Sequence, residues 1–136
     1  MAIVDVGMTQ EQVMASLEPL PAGPYTVVYK GLLKTEEGEV LWPTRKGGRM
    51  IKAMFGVVDP DPSKNGRGLI YPGTLGSFSF ALLVKNLPIM VGGGIDDEAG
   101  IGTELRVDVS VRKGGVDANT GREYEPSNQI DKFHAV

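Results

Sequence analysis

Apolar and polar residues alternate most strictly near the C-terminal third of the chain. Leu105, Val107, Val109 and Val111 are interleaved with Glu104, Arg106, Asp108, Ser110 and Arg112. A period of two predicts a half-buried antiparallel strand over residues 104–112, with one wet face. Two earlier segments carry the same pattern. Over 25–33, Tyr25, Val27, Tyr29 and Leu33 fall on one face and Thr26, Val28, Lys30 and Leu32 on the other. Over 50–58, Ile51, Ala53, Phe55 and Val57 alternate with Met50, Lys52, Met54 and Val58. Aromatic and β-branched residues reinforce both readings.

Shorter strands are expected at 40–42, ended by Pro43, at 68–71, halted by Pro72-Gly73, and at 128–133. Near the start, Thr9 and Gln12 have capping-box spacing. Val13, Met14 and Leu17 then form an apolar stripe that Pro19 and Pro21 end, predicting a short helix packed on the body with its methionines as core filler. Residues 74–86 fit two templates. Leu75, Phe78, Ala81, Leu82 and Lys85 suit a helix, while residues 78–82 also alternate as a strand; the helix is favoured. The stretches 59–66, 91–102 and 113–127 read as turns and loops, the second glycine-rich, acidic and mobile.

Several short strands with glycine and proline turns predict a mainly β protein. A helix between the third and fourth long strands suits a small five-stranded antiparallel barrel of the oligonucleotide-binding (OB) type, with a β-sandwich as the alternative. At 136 residues the chain fits one domain, with residues 1–20 as a helical appendage and 21–136 as the barrel body. An apolar fraction of 41% and a charged fraction of 23% describe a folding chain rather than a disordered one. No apolar run approaches a membrane span and no leader pattern opens the chain, so a cytoplasmic location is expected, that of the host cell if phage-encoded.

The absence of cysteine excludes disulfides and thiolate metal sites. A lone histidine, His134, leaves little for a catalytic triad, and Ser77, Ser79 and Ser110 have no evident partner base. The glycine runs 92–94 and 100–102 lack a P-loop ending. Asp96, Asp97 and Glu98 lack EF-hand spacing, and Asp59 and Asp61 suit turn formation. These patterns predict neither an enzyme nor a cofactor or metal.

Charge changes the picture at one place. The chain has a formal net charge of -3, yet residues 44–52 hold Arg45, Lys46, Arg49 and Lys52 around two adjacent glycines, with no carboxylate. A solvated hairpin would look this way, and so would a loop that holds a phosphate backbone. Further cations, Lys30, Lys34 and Arg67, lie on or between the first three long strands, and Arg106 and Arg112 share the polar face of the fourth. Cationic grooves interleaved with aromatic platforms bind single strands, because every base offers a face for stacking. Trp42, beside Pro43 and ahead of the basic loop, is the best stacking candidate, with Tyr71 second; Phe55, and with it Tyr25 and Tyr29, suit the core.

The run Leu20-Pro21-Ala22-Gly23-Pro24-Tyr25-Thr26-Val27 resembles the opening of small bacteriophage proteins related to single-stranded DNA-binding proteins. In that group a Lys-containing hairpin and a second apolar strand follow, and a Gly-Arg step introduces the third strand, as Gly66-Arg67-Gly68 does here. Asn128-Gln129-Ile130-Asp131-Lys132-Phe133 is similar to the Asn-x-Ile-x-x-Phe close of the same group. The resemblance implies an OB-like fold and sequence-tolerant binding of single-stranded DNA in phage replication or recombination, with self-association left open. The chain departs from the pattern in ending His134-Ala135-Val136, without an acidic tail for recruiting partners. The alternative function is a non-enzymatic phage structural or assembly protein with a β-sandwich fold, whose sign would be stable homo-oligomers that bury residues 44–49.

Overall fold

A computed structural model describes residues 7–15, 18–116 and 118–134. It is a mainly β structure: an antiparallel sheet with short helices. Five strands are long: β1 (Gly23–Leu32), β3 (Arg49–Val58), β4 (Gly68–Thr74), β7 (Glu104–Arg112) and β10 (Ser127–His134). A two-residue strand, β2 (Trp42–Pro43), joins them, and β5 (Met90–Val91) pairs with β6 (Gly94–Ile95), β8 (Gly115–Val116) with β9 (Glu123–Tyr124). The helices are α1 (Gln10–Ala15) and α2 (Phe78–Asn86). Along the sheet the order is β10-β7-β1-β3, and β3 pairs with both β2 and β4.

The inner face is the one the alternation marks out. Tyr25, Val27 and Tyr29 of β1, Ile51, Ala53, Phe55 and Val57 of β3, and Leu105, Val107 and Val109 of β7 are all buried. Val111 is not, since β7 runs out beyond the core there. Aromatic rings continue this core across the outer strands: Tyr29 meets Phe55, Phe55 meets Phe133, and Phe133 meets Tyr71 edge-on at 4.9 Å. The last contact draws β4 and β10 toward each other, although no backbone ladder joins them. The Tyr29 hydroxyl is enclosed without a hydrogen-bond partner among the described residues, and burial, then the charge of Asp97, pushes its pKa up to about 12.

Two bulges reset the alternation. In β1, Tyr29 faces Phe55 but Gly31 faces Met54, so Lys30 is the extra residue. Leu32, not Leu33, therefore turns inward. Gly31 has φ +111°, and a Cβ there would lie 3.3 Å from Ile101 Cδ1. The second bulge, at Asp131, lets Ile130 and Phe133 share the inner face although they are three residues apart.

Several expectations need correction. β4 does not stop at Tyr71 but runs through Pro72 to Thr74, opposite Met50. Proline is tolerated because β4 is an edge strand, where a missing N–H costs no ladder bond. Within 74–86 the favoured helix forms, but only over Phe78–Asn86, and its buried side is Phe80, Leu83, Val84 and Leu87 rather than the stripe through Phe78 and Ala81. Phe78 is 77% exposed. The phase is set by the Thr74–Ser79 junction, where Ser77 Oγ donates to the Thr74 carbonyl and the Thr74 amide donates to Ser79 Oγ.

The loop at 91–102 is not free either. It contains the β5–β6 hairpin, Asp96 Oδ1 accepts from the amides of Glu98 and Ala99, and the Gly102 amide donates to the Tyr29 carbonyl. The 113–127 loop likewise contains β8 and β9. In α1 the capping box forms as expected, with the Thr9 and Gln12 amides each bonded to the other's side chain. Met14, however, is 56% exposed and is not core filler. Leu17 lies outside the described residues.

The N-terminal segment is tied to the far end of the chain by Asn128. Its Oδ1 accepts from the Leu20 amide at 2.8 Å and its Nδ2 donates to the Leu20 carbonyl at 2.9 Å, as a strand partner would. Leu20 itself is buried. Asn128→Ala leaves both Leu20 groups to find water in a half-buried setting. It should lower unfolding free energy by about 1–3 kcal/mol, read as a shifted urea midpoint at unchanged slope.

Candidate functional site

The β2–β3 hairpin is fixed by its own short-range bonds. The Gly48 amide donates to Thr44 Oγ1 at 2.8 Å, the Gly47 amide to the Thr44 carbonyl, and the Thr44 amide to the Gly48 carbonyl. Gly47 adopts φ +81°, the left-handed region that glycine enters without strain. The tip this turn presents is Arg45-Lys46, both exposed.

Trp42 sits at the base of the hairpin opposite Met50. Its Nε1 donates to the Leu33 carbonyl at 2.9 Å, which holds the indole in one orientation. Lys52, two residues beyond Met50 and so on the same side of β3, places its ammonium 3.9 Å from the centre of the Trp42 ring. That is cation–π contact, and it leaves the cation partly in solvent. Residues 39–43, Gly47, Gly48 and Arg49 line an open groove of about 680 Å³.

The hairpin thus gathers Trp42, Arg45, Lys46, Arg49 and Lys52. Lys30 lies on the same outer face. Its stem covers Gly56, where a Cβ would come within 2.9 Å of Lys30 Cε. Gly56 is two same-face positions along β3 from Lys52, about 13 Å at the usual strand rise.

The remaining candidates are elsewhere. Lys34 is bound to Asp97 at 2.9 Å. Arg67 Nη2 donates to the Glu18 carbonyl at 2.7 Å and Nη1 to the Ser63 carbonyl at 3.5 Å, so its guanidinium ties the N-terminal segment to the 59–66 turn. Tyr71 faces inward against Phe133, away from the Trp42 face, and burial raises its pKa. Arg106 and Arg112 are on β7, with β1 between them and the β2–β3 hairpin. Arg106 lies opposite Thr26 and His134.

The sequence reading overlooked the groove wall formed by Glu39, Val40 and Leu41. Its only signal was the short apolar run before Pro43, which does not reveal that Glu39 joins the groove lining. Among the described residues, no three histidine, aspartate or glutamate side chains gather to hold a metal ion. His134 pairs with Asp108 at 3.0 Å, and Asp61 is occupied by Ser63, whose amide and hydroxyl hold its pKa below the usual range.

The Lys34–Asp97 pair gives a pH signature. The hydrogen bond to Lys34 holds the Asp97 carboxyl below its ordinary pKa, and the hydrogen bond and charge of Asp97 hold the Lys34 ammonium above its own. Its stabilisation is complete between the ordinary values, about 4 and about 10.5. It is lost as pH falls through the depressed Asp97 value or rises through the raised Lys34 value. Asp97→Asn should therefore lower Tm slightly at neutral pH and match the wild type at both extremes, in paired thermal melts across pH.

Neither a scan against models of known protein families nor a search of curated proteins finds a match for this chain. Among the described residues no helix is long and apolar enough to cross a membrane.

Proposed function

We propose that the protein binds single-stranded DNA without strong sequence preference, through the β2–β3 hairpin and the outer face of β3. The observation that carries this reading is the Trp42–Lys52 pair at a groove lined in part by Arg49, with Arg45 and Lys46 exposed at the tip of the same hairpin. An oriented indole offers a stacking surface, and the surrounding cations suit a phosphate backbone. The acidic balance of the whole chain makes this positive region local, which favours directed rather than general attraction.

The strand order supports an OB-like barrel. Among the long strands the first lies between the second and fourth, the third flanks the second, the fifth flanks the fourth, and α2 falls between the third and fourth. The Phe133–Tyr71 contact brings the third and fifth strands toward closure. A role in phage DNA replication or recombination follows from the sequence resemblance alone.

The test is fluorescence anisotropy with labelled oligo-dT at low and moderate salt, with duplex as control. Single-strand binding should weaken with salt by a log–log slope of about −0.7 per neutralised phosphate. Arg45→Glu/Lys46→Glu should weaken binding to all sequences alike and flatten that slope. Undiminished affinity in the double variant would remove the hairpin from the interface. No binding at low salt would favour the assembly protein.

A further inference from the structure

We infer that Glu39 makes the groove prefer a base carrying an exocyclic amino group, cytosine over thymine; this rests on the single-strand-binding reading above. The inference comes from the side chains that the groove has left to offer. Trp42 contributes a surface but no donor, since its Nε1 is committed to the Leu33 carbonyl. The amides of Gly47 and Gly48 both donate to Thr44. Two residues with charged side chains line the groove, Arg49 and Glu39. Neither is in an ion pair among the described residues.

These two groups have opposite chemistry. Arg49 has only donors and suits phosphate oxygens. An ionised Glu39 carboxylate only accepts hydrogen bonds, and it repels phosphate. The Glu39 backbone is held by a closed turn over residues 35–39: the Thr35 amide donates to the Glu39 carbonyl at 2.8 Å, and the Glu39 amide to Thr35 Oγ1 at 3.2 Å. A base stacked beside Trp42 shares the groove with this acidic side chain. Cytosine offers its N4 amino group to it, whereas thymine presents the O4 carbonyl at the same position, lone pair against lone pair. The groove stays tolerant of sequence but is not indifferent to it.

The experiment compares oligo-dC with oligo-dT of equal length against the full chain and Glu39→Gln, near neutral pH and at fixed salt. The wild type should bind oligo-dC about 3–10 times more tightly, the low end of what a base-edge contact discriminates. Glu39→Gln loses a negative charge and gains a donor that accepts either base. Its affinity for oligo-dT should rise and the dC:dT ratio should fall toward one.

Equal affinities in the wild type would overturn the inference and leave the single-strand reading intact. A preference that survives Glu39→Gln would likewise overturn it, because another group would then be the reader. Binding of neither strand would overturn both.

Discussion

Leu83→Ala should lower the free energy of unfolding by about 2–5 kcal/mol, the largest stability change expected from a single substitution here. Leu83 is fully buried and is the centre of the helix face formed with Phe80, Val84 and Leu87. It stands over Gly73 of β4, where a Cβ would come within 2.7 Å of Leu83 Cδ1 and 3.2 Å of the Phe80 Cα. The glycine is what lets α2 lie close to the strand. Gly73→Ala should also destabilise, by overpacking, at about 1–3 kcal/mol. In the double variant, the added methyl enters space that Leu83 vacated, so the two losses should sum to more than the measured total. Urea denaturation of the four proteins closes the cycle. Strict additivity would mean that α2 does not bear on β4 at this point.

Trp42→Ala should weaken single-strand binding about 5–150-fold, the equivalent of roughly 1–3 kcal/mol for one lost base stack. The indole is half-buried and oriented from two sides, by its bond to the Leu33 carbonyl and by Lys52. Truncation therefore removes the stacking surface and releases the Lys52 ammonium from the ring. Trp42→Phe separates these effects. It gives up the Leu33 bond but keeps an aromatic face, so it should retain most of the affinity. If alanine and phenylalanine weaken binding equally, Trp42 acts by holding the hairpin rather than by stacking. If neither changes affinity, the bases lie elsewhere.

Much of the fold was legible because one-sided burial leaves a period of two. Ile51, Ala53, Phe55 and Val57 face inward without exception, and so do Leu105, Val107 and Val109. Alternation fails to report an inserted residue, which is why the bulge at Lys30 exchanged the places of Leu32 and Leu33. Helix phase was harder. The segment 78–86 is apolar on more than one side, so periodicity alone could not select Leu83 over Ala81. The serine bonds at Thr74 and the bare surface at Gly73 do that, and both are tertiary facts.

The candidate site was legible in part for a related reason. Residues close in sequence around a tight turn, from Trp42 to Lys52, stay together in space. Arg67 and Lys34 looked equivalent to them as charges, yet one is engaged by backbone carbonyls and the other by Asp97. Tyr71 was placed with Trp42 on aromatic character alone, whereas its register opposite Ala53 turns it to the inner face. Charge and ring type are visible in a sequence; which partner has already claimed them is not.

Because Trp42 is the only tryptophan in the chain, its emission reports directly on the proposed stacking surface. The deciding measurement is a titration of that fluorescence with unlabelled oligo-dT at low and moderate salt. The account predicts saturable quenching whose midpoint moves to higher oligonucleotide concentration as salt is raised. An emission spectrum unchanged through saturating oligo-dT at low salt would contradict it.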